Sequence, residues 1–202
     1  MIVIDAQELV NIDLLMKLFN RPWFIAGGWT IDLAANEVTR THKDMDICIF
    51  REDIPHAITY FHEWDIQVAI TGEHRLVPYK TMHDLDPPRY CLHLFRENEF
   101  LEILVTERNE DEVIFRKNRK ITMQLSEFNK GNQRPYVNPA WQLLFKSLST
   151  RGEDEHDFKI YMDRVDDDHS KKWLLHSIIE ANGNKNWIRK LESYFEEGGN
   201  IL

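Results

Sequence analysis

Apolar positions along the chain follow two periods, and they divide it into regions. At the start Leu9, Ile12, Leu15, Met16 and Phe19 recur at helical spacing behind Asp5-Ala-Gln-Glu8, which has the form of a capping box, and together they predict an amphipathic helix. The next apolar run, Trp23-Phe24-Ile25-Ala26, is short and closed by Gly27-Gly28, and helical spacing resumes from Trp29 to Asn36. The local prediction is strand, tight glycine turn, helix. A polar loop from Glu37 to Lys43 leads into Met45-Asp-Ile-Cys-Ile-Phe50, which alternates with the period of a strand, and Asp53 to Trp64 returns to helical spacing.

Further strand-like runs cover Asp65 to Ile70, Tyr90 to Phe95, Phe100 to Val105 and Glu112 to Phe115, the later ones separated by hairpin-like polar turns. From Asn138 the period changes again. Asn138-Pro139 is an N-cap followed by proline at the first helical position, and Trp141, Leu144, Phe145 and Leu148 form an apolar stripe behind it. Helices are predicted over Glu153 to Val165, over Ser170 to Asn182 with Gly183 as its stop, and over Asn186 to Glu197. No internal repeat or low-complexity tract interrupts this order. The fold class is α+β, a mixed β-sheet flanked by helices with a helical C-terminal part; residues 1–120 are expected to form a catalytic domain and 121–202 a mainly helical subdomain.

Composition narrows the possible partners. A chain of 202 residues, 43% hydrophobic and 29% charged, with 8 Gly and 7 Pro, is ordinary for a folded protein with a real core. Against 25 basic side chains stand 34 acidic ones, a net charge of −9, which repels nucleic acid in the absence of a strong local basic patch. The apolar runs are far shorter than the roughly 20 residues that span a bilayer, and Met1 to Glu8 lacks the basic start and apolar core of a signal peptide, so a cytoplasmic location is expected. Cys48 and Cys91, the two cysteines, sit in apolar strand-like runs without CxxC spacing and are expected to be buried thiols.

Candidate chemistry lies mainly in the first fifty residues. Asp44 and Asp46 are two apart on a predicted strand, so both carboxylates leave one face and can share a cation. Magnesium suits them, because it prefers oxygen ligands and takes one or two carboxylates together with nucleotide phosphates. Taken alone, an Asp pair at a strand entrance is more often solvated or capping. Gly27-Gly28 lets the backbone come close to a phosphate, although a lone glycine pair is more often a plain turn. The combination carries the information.

The order Gly27-Gly28-Trp29-x-Ile31-Asp32-Leu33, Thr39-Arg40-x-His42-x-Asp44-x-Asp46-Ile47 and Phe50-Arg51 resembles the aminoglycoside and lincosamide nucleotidyltransferase-like proteins of the nucleotidyltransferase superfamily. Phe100-Leu-Glu102-Ile-Leu looks like the strand that carries that family's third carboxylate, and Asn138 to Lys146, followed by Asp154-Glu155-x-Asp157-Phe158, looks like its first C-terminal helix and the turn beyond. The segment from Asp65 to Arg89 matches nothing recognisable and is expected to help shape the acceptor pocket.

The resemblance implies transfer of a nucleoside monophosphate, with ATP or another nucleoside triphosphate as donor, to a hydroxyl of a small acceptor of the aminoglycoside or lincosamide kind, and a link to antibiotic resistance. Asp44, Asp46 and Glu102 would be the catalytic, magnesium-binding carboxylates, with Glu102 a metal ligand or general base. Gly27, Gly28, Arg40, His42 and Lys146 would contact the nucleotide. Residue chemistry leaves alternatives open: a surface hairpin position for Glu102, a pairing of Arg40 with Asp32, a loop-orienting role for His42 and a snorkelling role for Lys146. Asp154 and Asp157 read as cap and first-turn carboxylates outside the site. His74, His83 and His93 lack zinc-ligand spacing. Trp23, Trp64 and Trp141 read as core. No Gly-x-Ser-x-Gly or Gly-x-x-x-x-Gly-Lys-Ser/Thr motif is present, which argues against a hydrolase triad or a P-loop kinase. The rival function is a non-catalytic nucleotide-binding or antitoxin-like protein of the same superfamily, whose surface binds another protein.

Overall fold

The computed structural model describes residues 6–198. Helix α1 (Gln7–Leu15) is followed by β1 (Trp23–Ile25), α2 (Trp29–Ala35), β2 (Asp46–Phe50) and, after a 3-10 turn, α3 (Ile54–Tyr60). Next come β3 (Asp65–Ile70), β4 (Arg75–Pro78), β5 (Cys91–Arg96), β6 (Glu99–Asn109), β7 (Glu112–Ile114) and β8 (Thr122–Gln124). The rest is helical: α4 (Leu125–Phe128), α5 (Pro139–Ser147), α6 (Gly152–Arg164), α7 (Asp168–Glu180) and α8 (Lys185–Glu197). Asp5, and with it the predicted capping box, lies outside the described residues. Among the described residues no helix is long and apolar enough to cross a membrane.

The sheet has the order β1-β2-β6-β5-β3-β4, with β7 and β8 continuing from the far end of β6. The strands β2 and β6 pair in parallel, which sets Asp46 opposite Glu102. The antiparallel β5–β6 hairpin then sets His93 opposite Glu102 on the other side. Because successive strand side chains alternate, Ile47, Ile49, Leu101, Ile103, Leu92 and Leu94 enter one core with α1 and α3. Cys48 and Phe50 point the other way, into a second core shared with Trp141, Leu144, Phe158 and Trp187 of the C-terminal helices. Asp46, Glu102, Cys91 and His93 occupy this same parity, at the part of that face where apolar side chains give way to polar ones.

The helical third is set by local chemistry. The Asn138 side chain accepts a hydrogen bond from the Ala140 amide at 2.9 Å, and Pro139 takes the first helical position, where no amide donor is needed. Phe158 and Trp187 stack with centroids 4.3 Å apart and fasten α8 to α6. The end of α7 differs from expectation. Asn182, not Gly183, takes the left-handed conformation, at φ 53°, and the Gly183 amide donates to the Ile178 carbonyl.

The strands β4 and β8 and helix α4 are too short to leave a periodic signal in the sequence. Trp64 and Trp141 are buried as expected, whereas Trp23 is only half-buried. Cys48 is buried, but Cys91 is half-buried, because its strand face opens toward the polar end of the sheet.

Candidate active site

Gly27 begins the site. The Ala26 amide donates to the Asp46 carbonyl at 2.8 Å, so the turn is laid directly against the entrance of β2. Gly27 then takes φ +64°, and a Cβ there would overlap the Asp46 carboxylate. Gly28 has an ordinary φ, but a Cβ on it would overlap the Arg40 guanidinium and crowd the His42 ring. Both glycines are required by close approach, the first also by backbone conformation.

The loop from Glu37 to Lys43 is fastened by Asp32. This buried carboxylate accepts from the Thr39 amide and hydroxyl, at 3.1 and 2.6 Å, and lies 2.6 Å from His42 Nε2. The His42 ring also stacks on Trp29, with centroids 4.1 Å apart. Its Nε2 is thus engaged in fastening the loop, while His42 also lines the cavity described below, with Nδ1 on the Gly28 side. Arg40 does not pair with Asp32. It forms a two-point contact with Asp157 of α6, at 2.7 and 3.0 Å.

Three carboxylates meet beyond the glycine turn. Asp46 opens β2, Glu102 lies beside it on β6, and Asp44 projects from the loop just before the strand. The expectation that both aspartates sit on the strand holds only for Asp46, yet the oxygens of Asp44, Asp46 and Glu102 lie within 4.8 Å of one another. Burial, followed by the charges of Glu102 and Asp44, pushes the Asp46 carboxyl up to about 8. The donor set is all carboxylate oxygen, which fits a hard divalent cation such as magnesium.

Facing them is a cationic wall of Arg40, Lys146 and Arg151, of which the sequence motifs mark only the first two. Lys146 of α5 lies 2.6 Å from Asp154 and 3.0 Å from Asp157, and Arg151 reaches Asp154 at 3.0 Å. Asp154 and Asp157, taken from the sequence as a cap and a first-turn residue, are buried anchors of these cations. Burial alone would raise their pKa values, but hydrogen bonds from Arg151 and Lys146 to Asp154, and from Arg40 and Lys146 to Asp157, hold both below the usual carboxylate range. Asp154 does cap α6 as well, accepting from the Arg151 amide at 2.9 Å. No sequence period relates Arg40 to Asp157, which is 117 residues away, so neither this pairing nor the place of Arg151 was readable.

The two walls enclose a cavity of about 340 Å³, lined by Gly27, Gly28, Asp46 and Glu102 on one side and by Arg40, Lys146 and Arg151 on the other. That volume is in the range of small-molecule sites. No residue of 65–89 lines it, although Gln67 of β3 pairs with His93, the residue opposite Glu102. A larger hollow, about 910 Å³, lies against Pro22, Trp23 and Asn129, and among the described residues it holds no cluster able to ligate a metal.

A family model described as aminoglycoside-2''-adenylyltransferase matches residues 8–86, a stretch that contains the glycine turn and the Asp pair and continues through most of the segment that had matched nothing. The chain is similar to the aminoglycoside and lincosamide nucleotidyltransferases. Its fold is that of the lincosamide antibiotic adenylyltransferase LnuA, solved bound to lincomycin, with a TM-score of 0.54 at 18% identity over 78% of this chain and 97% of that one. ANT(2'')-Ia, solved in complex with adenylyl-2''-tobramycin, gives a TM-score of 0.55 at 11% identity over 87% of this chain and 99% of that one. No curated protein matches the sequence. The nucleotidyltransferase fold thus extends well beyond the matched stretch and takes in the C-terminal helices that carry Lys146, Asp154 and Asp157.

Proposed function

We propose that the protein is a magnesium-dependent nucleotidyltransferase that moves a nucleoside monophosphate, with ATP as the favoured donor, to a hydroxyl of a small acceptor resembling an aminoglycoside or a lincosamide. The observation that carries this reading is the meeting of three carboxylates, a glycine turn and three cations around one cavity. Asp44, Asp46 and Glu102 would hold the metal, which when bound neutralises phosphate charge. Gly27 and Gly28 leave backbone exposed where side chains would otherwise stand. Arg40 and Lys146, held in place by Asp157, are set to bind phosphate oxygens, and the more exposed Arg151 closes the same wall.

In the reaction the acceptor oxygen bonds to the α-phosphorus, the bond to the β-phosphate oxygen breaks, pyrophosphate leaves and the hydroxyl proton is taken up. Glu102 either completes the ligand set or receives that proton. A pH–rate profile of Glu102→Gln separates the two roles: loss of the acidic limb marks a proton acceptor, and a raised magnesium requirement marks a ligand. Catalysis rests on positioning and charge neutralisation rather than on a protein nucleophile.

Residues 1–120 would supply the carboxylates, the turn and Arg40, and the helical part beyond them the rest of the cationic wall. The family model supports this reading, as do the ligands named for LnuA and ANT(2'')-Ia, lincomycin and an adenylylated tobramycin. The net charge of −9 favours a cationic acceptor over nucleic acid.

The test is incubation with magnesium, each α-labelled nucleoside triphosphate and a panel of aminoglycosides, lincosamides and other hydroxylated acceptors. Labelled acceptor and pyrophosphate are expected, with Asp46→Asn reducing the rate by roughly 10²–10³-fold. If pyrophosphate never appears and Asp46→Asn leaves nucleotide affinity unchanged, the enzyme reading fails. Magnesium-dependent nucleotide binding without pyrophosphate favours the non-catalytic binding role.

A further inference from the structure

Glu102 belongs to two groups of cation-binding side chains. One is the all-oxygen trio with Asp44 and Asp46. The other is Cys91, His93 and Glu102, whose ligand atoms also lie within 4.8 Å of one another. The sheet dictates this second trio. Cys91 and His93 are two apart on β5 and leave the same face, and His93 stands directly opposite Glu102 on β6, with Cys91 on the diagonal.

The Cys91 thiol donates to Glu102 Oε1 at 3.0 Å, and His93 Nε2 lies 3.5 Å from Glu102 Oε2. Bonds of about 2.0–2.3 Å at tetrahedral angles require donor atoms about 3.3–3.8 Å apart, so small side-chain rotations would seat an ion. The His93 and Glu102 side chains are 24% and 22% exposed, which leaves a path for entry.

Donor chemistry separates the two groups. Magnesium prefers oxygen, whereas a thiolate, an imidazole and a carboxylate are the ligands of zinc, and three protein ligands leave its fourth position open to water. We propose that Cys91, His93 and Glu102 form a zinc site that shares Glu102 with the magnesium trio, so that zinc occupation inhibits the protein by withdrawing Glu102 from Asp44 and Asp46. The thiol proton passes to solvent as the sulfur–zinc bond forms. The inhibition rests on the nucleotidyl-transfer reading; the zinc site does not.

Cobalt(II) is the probe for the site, because a thiolate ligand gives it a charge-transfer band. The full chain titrated with cobalt should develop that band and lose it on addition of zinc. Cys91→Ser should abolish the band, and His93→Ala should weaken cobalt affinity by about tenfold or more, with circular dichroism confirming that both variants fold. No band in the unmodified protein, or an unchanged band in Cys91→Ser, overturns the site. In the transfer assay, zinc should inhibit the unmodified protein at a concentration about tenfold below that needed for Cys91→Ser, and equal inhibition of the two overturns the sharing of Glu102. The cobalt spectrum reports on the site whether or not transfer is found, so the two readings fail separately.

Discussion

The two walls of the 340 Å³ cavity contain the same kinds of charged group in opposite states of balance. On the cationic wall Arg40, Asp157, Lys146, Asp154 and Arg151 alternate in sign, each within 3.0 Å of the next. On the sheet wall Asp44, Asp46 and Glu102 face one another; among the described residues no Lys or Arg forms an ion pair with them and only His93 approaches, 3.5 Å from Glu102. Burial with the neighbouring charges raises the Asp46 carboxyl to about 8. The difference separates architecture from function. Balanced charges fix a wall in place, whereas unbalanced like charges at the entrance of a strand cost stability and suit a site that takes up a divalent cation.

The largest expected effect comes from breaking the balanced wall. Asp157→Ala leaves Arg40 and Lys146 each short of a partner at a buried position and should cost about 3–5 kcal/mol in chemical denaturation. The same truncation at exposed Asp163, paired with Lys159 across one helical turn, should cost less than about 0.5 kcal/mol. Equal losses at the two sites would mean that the buried chain of charges does not hold the helical part to the sheet.

Next is Gly27→Ala, which places a side chain at φ +64° and drives it into Asp46. A loss of roughly 1–3 kcal/mol is expected, with weakened magnesium-nucleotide binding in calorimetry. Gly72 also has positive φ, at 81°, but a Cβ there meets nothing, so Gly72→Ala carries the backbone strain alone and serves as its control.

A smaller effect should appear on the unbalanced wall. Because the folded pKa of Asp46 is raised, folding favours its protonated form, so this contribution is fully present below the unfolded value of about 3.9 and is lost as pH rises toward 8. With chelator present, Asp46→Asn should therefore melt higher than the unmodified protein at pH 8 and show little difference at pH 4. Magnesium should stabilise the unmodified protein at pH 8 and leave the variant unaffected.

The smallest effect is expected at Arg151, whose side chain is 65% exposed: Arg151→Ala should change stability by less than about 1 kcal/mol. Its mark should instead be a raised KM for the nucleoside triphosphate.

What the sequence determined by itself is local. Period two in residues 45–50, 90–95 and 100–105 fixed strands and their facing parities, and so put Asp46 and Glu102 where a neighbouring strand could bring them together. Gly27-Gly28 and Asn138-Pro139 marked a turn and a helix start, because backbone conformation and capping depend on few adjacent residues. The tertiary structure alone decided the parallel register of β2 and β6, which sets Asp46 opposite Glu102, and the reach of Arg40 to Asp157. It decided as well that Asp32 serves His42 and Thr39, and that Cys91 and His93 share Glu102 with the Asp pair. The pairings of Asp46 with Glu102 and of Arg40 with Asp157 join residues 56 and 117 positions apart, and even the shorter separations, in the Asp32 loop and the β5–β6 hairpin, depend on how the chain turns back on itself. They are set by strand order and by the cost of burying unpaired charge, neither of which leaves a periodic trace along the chain.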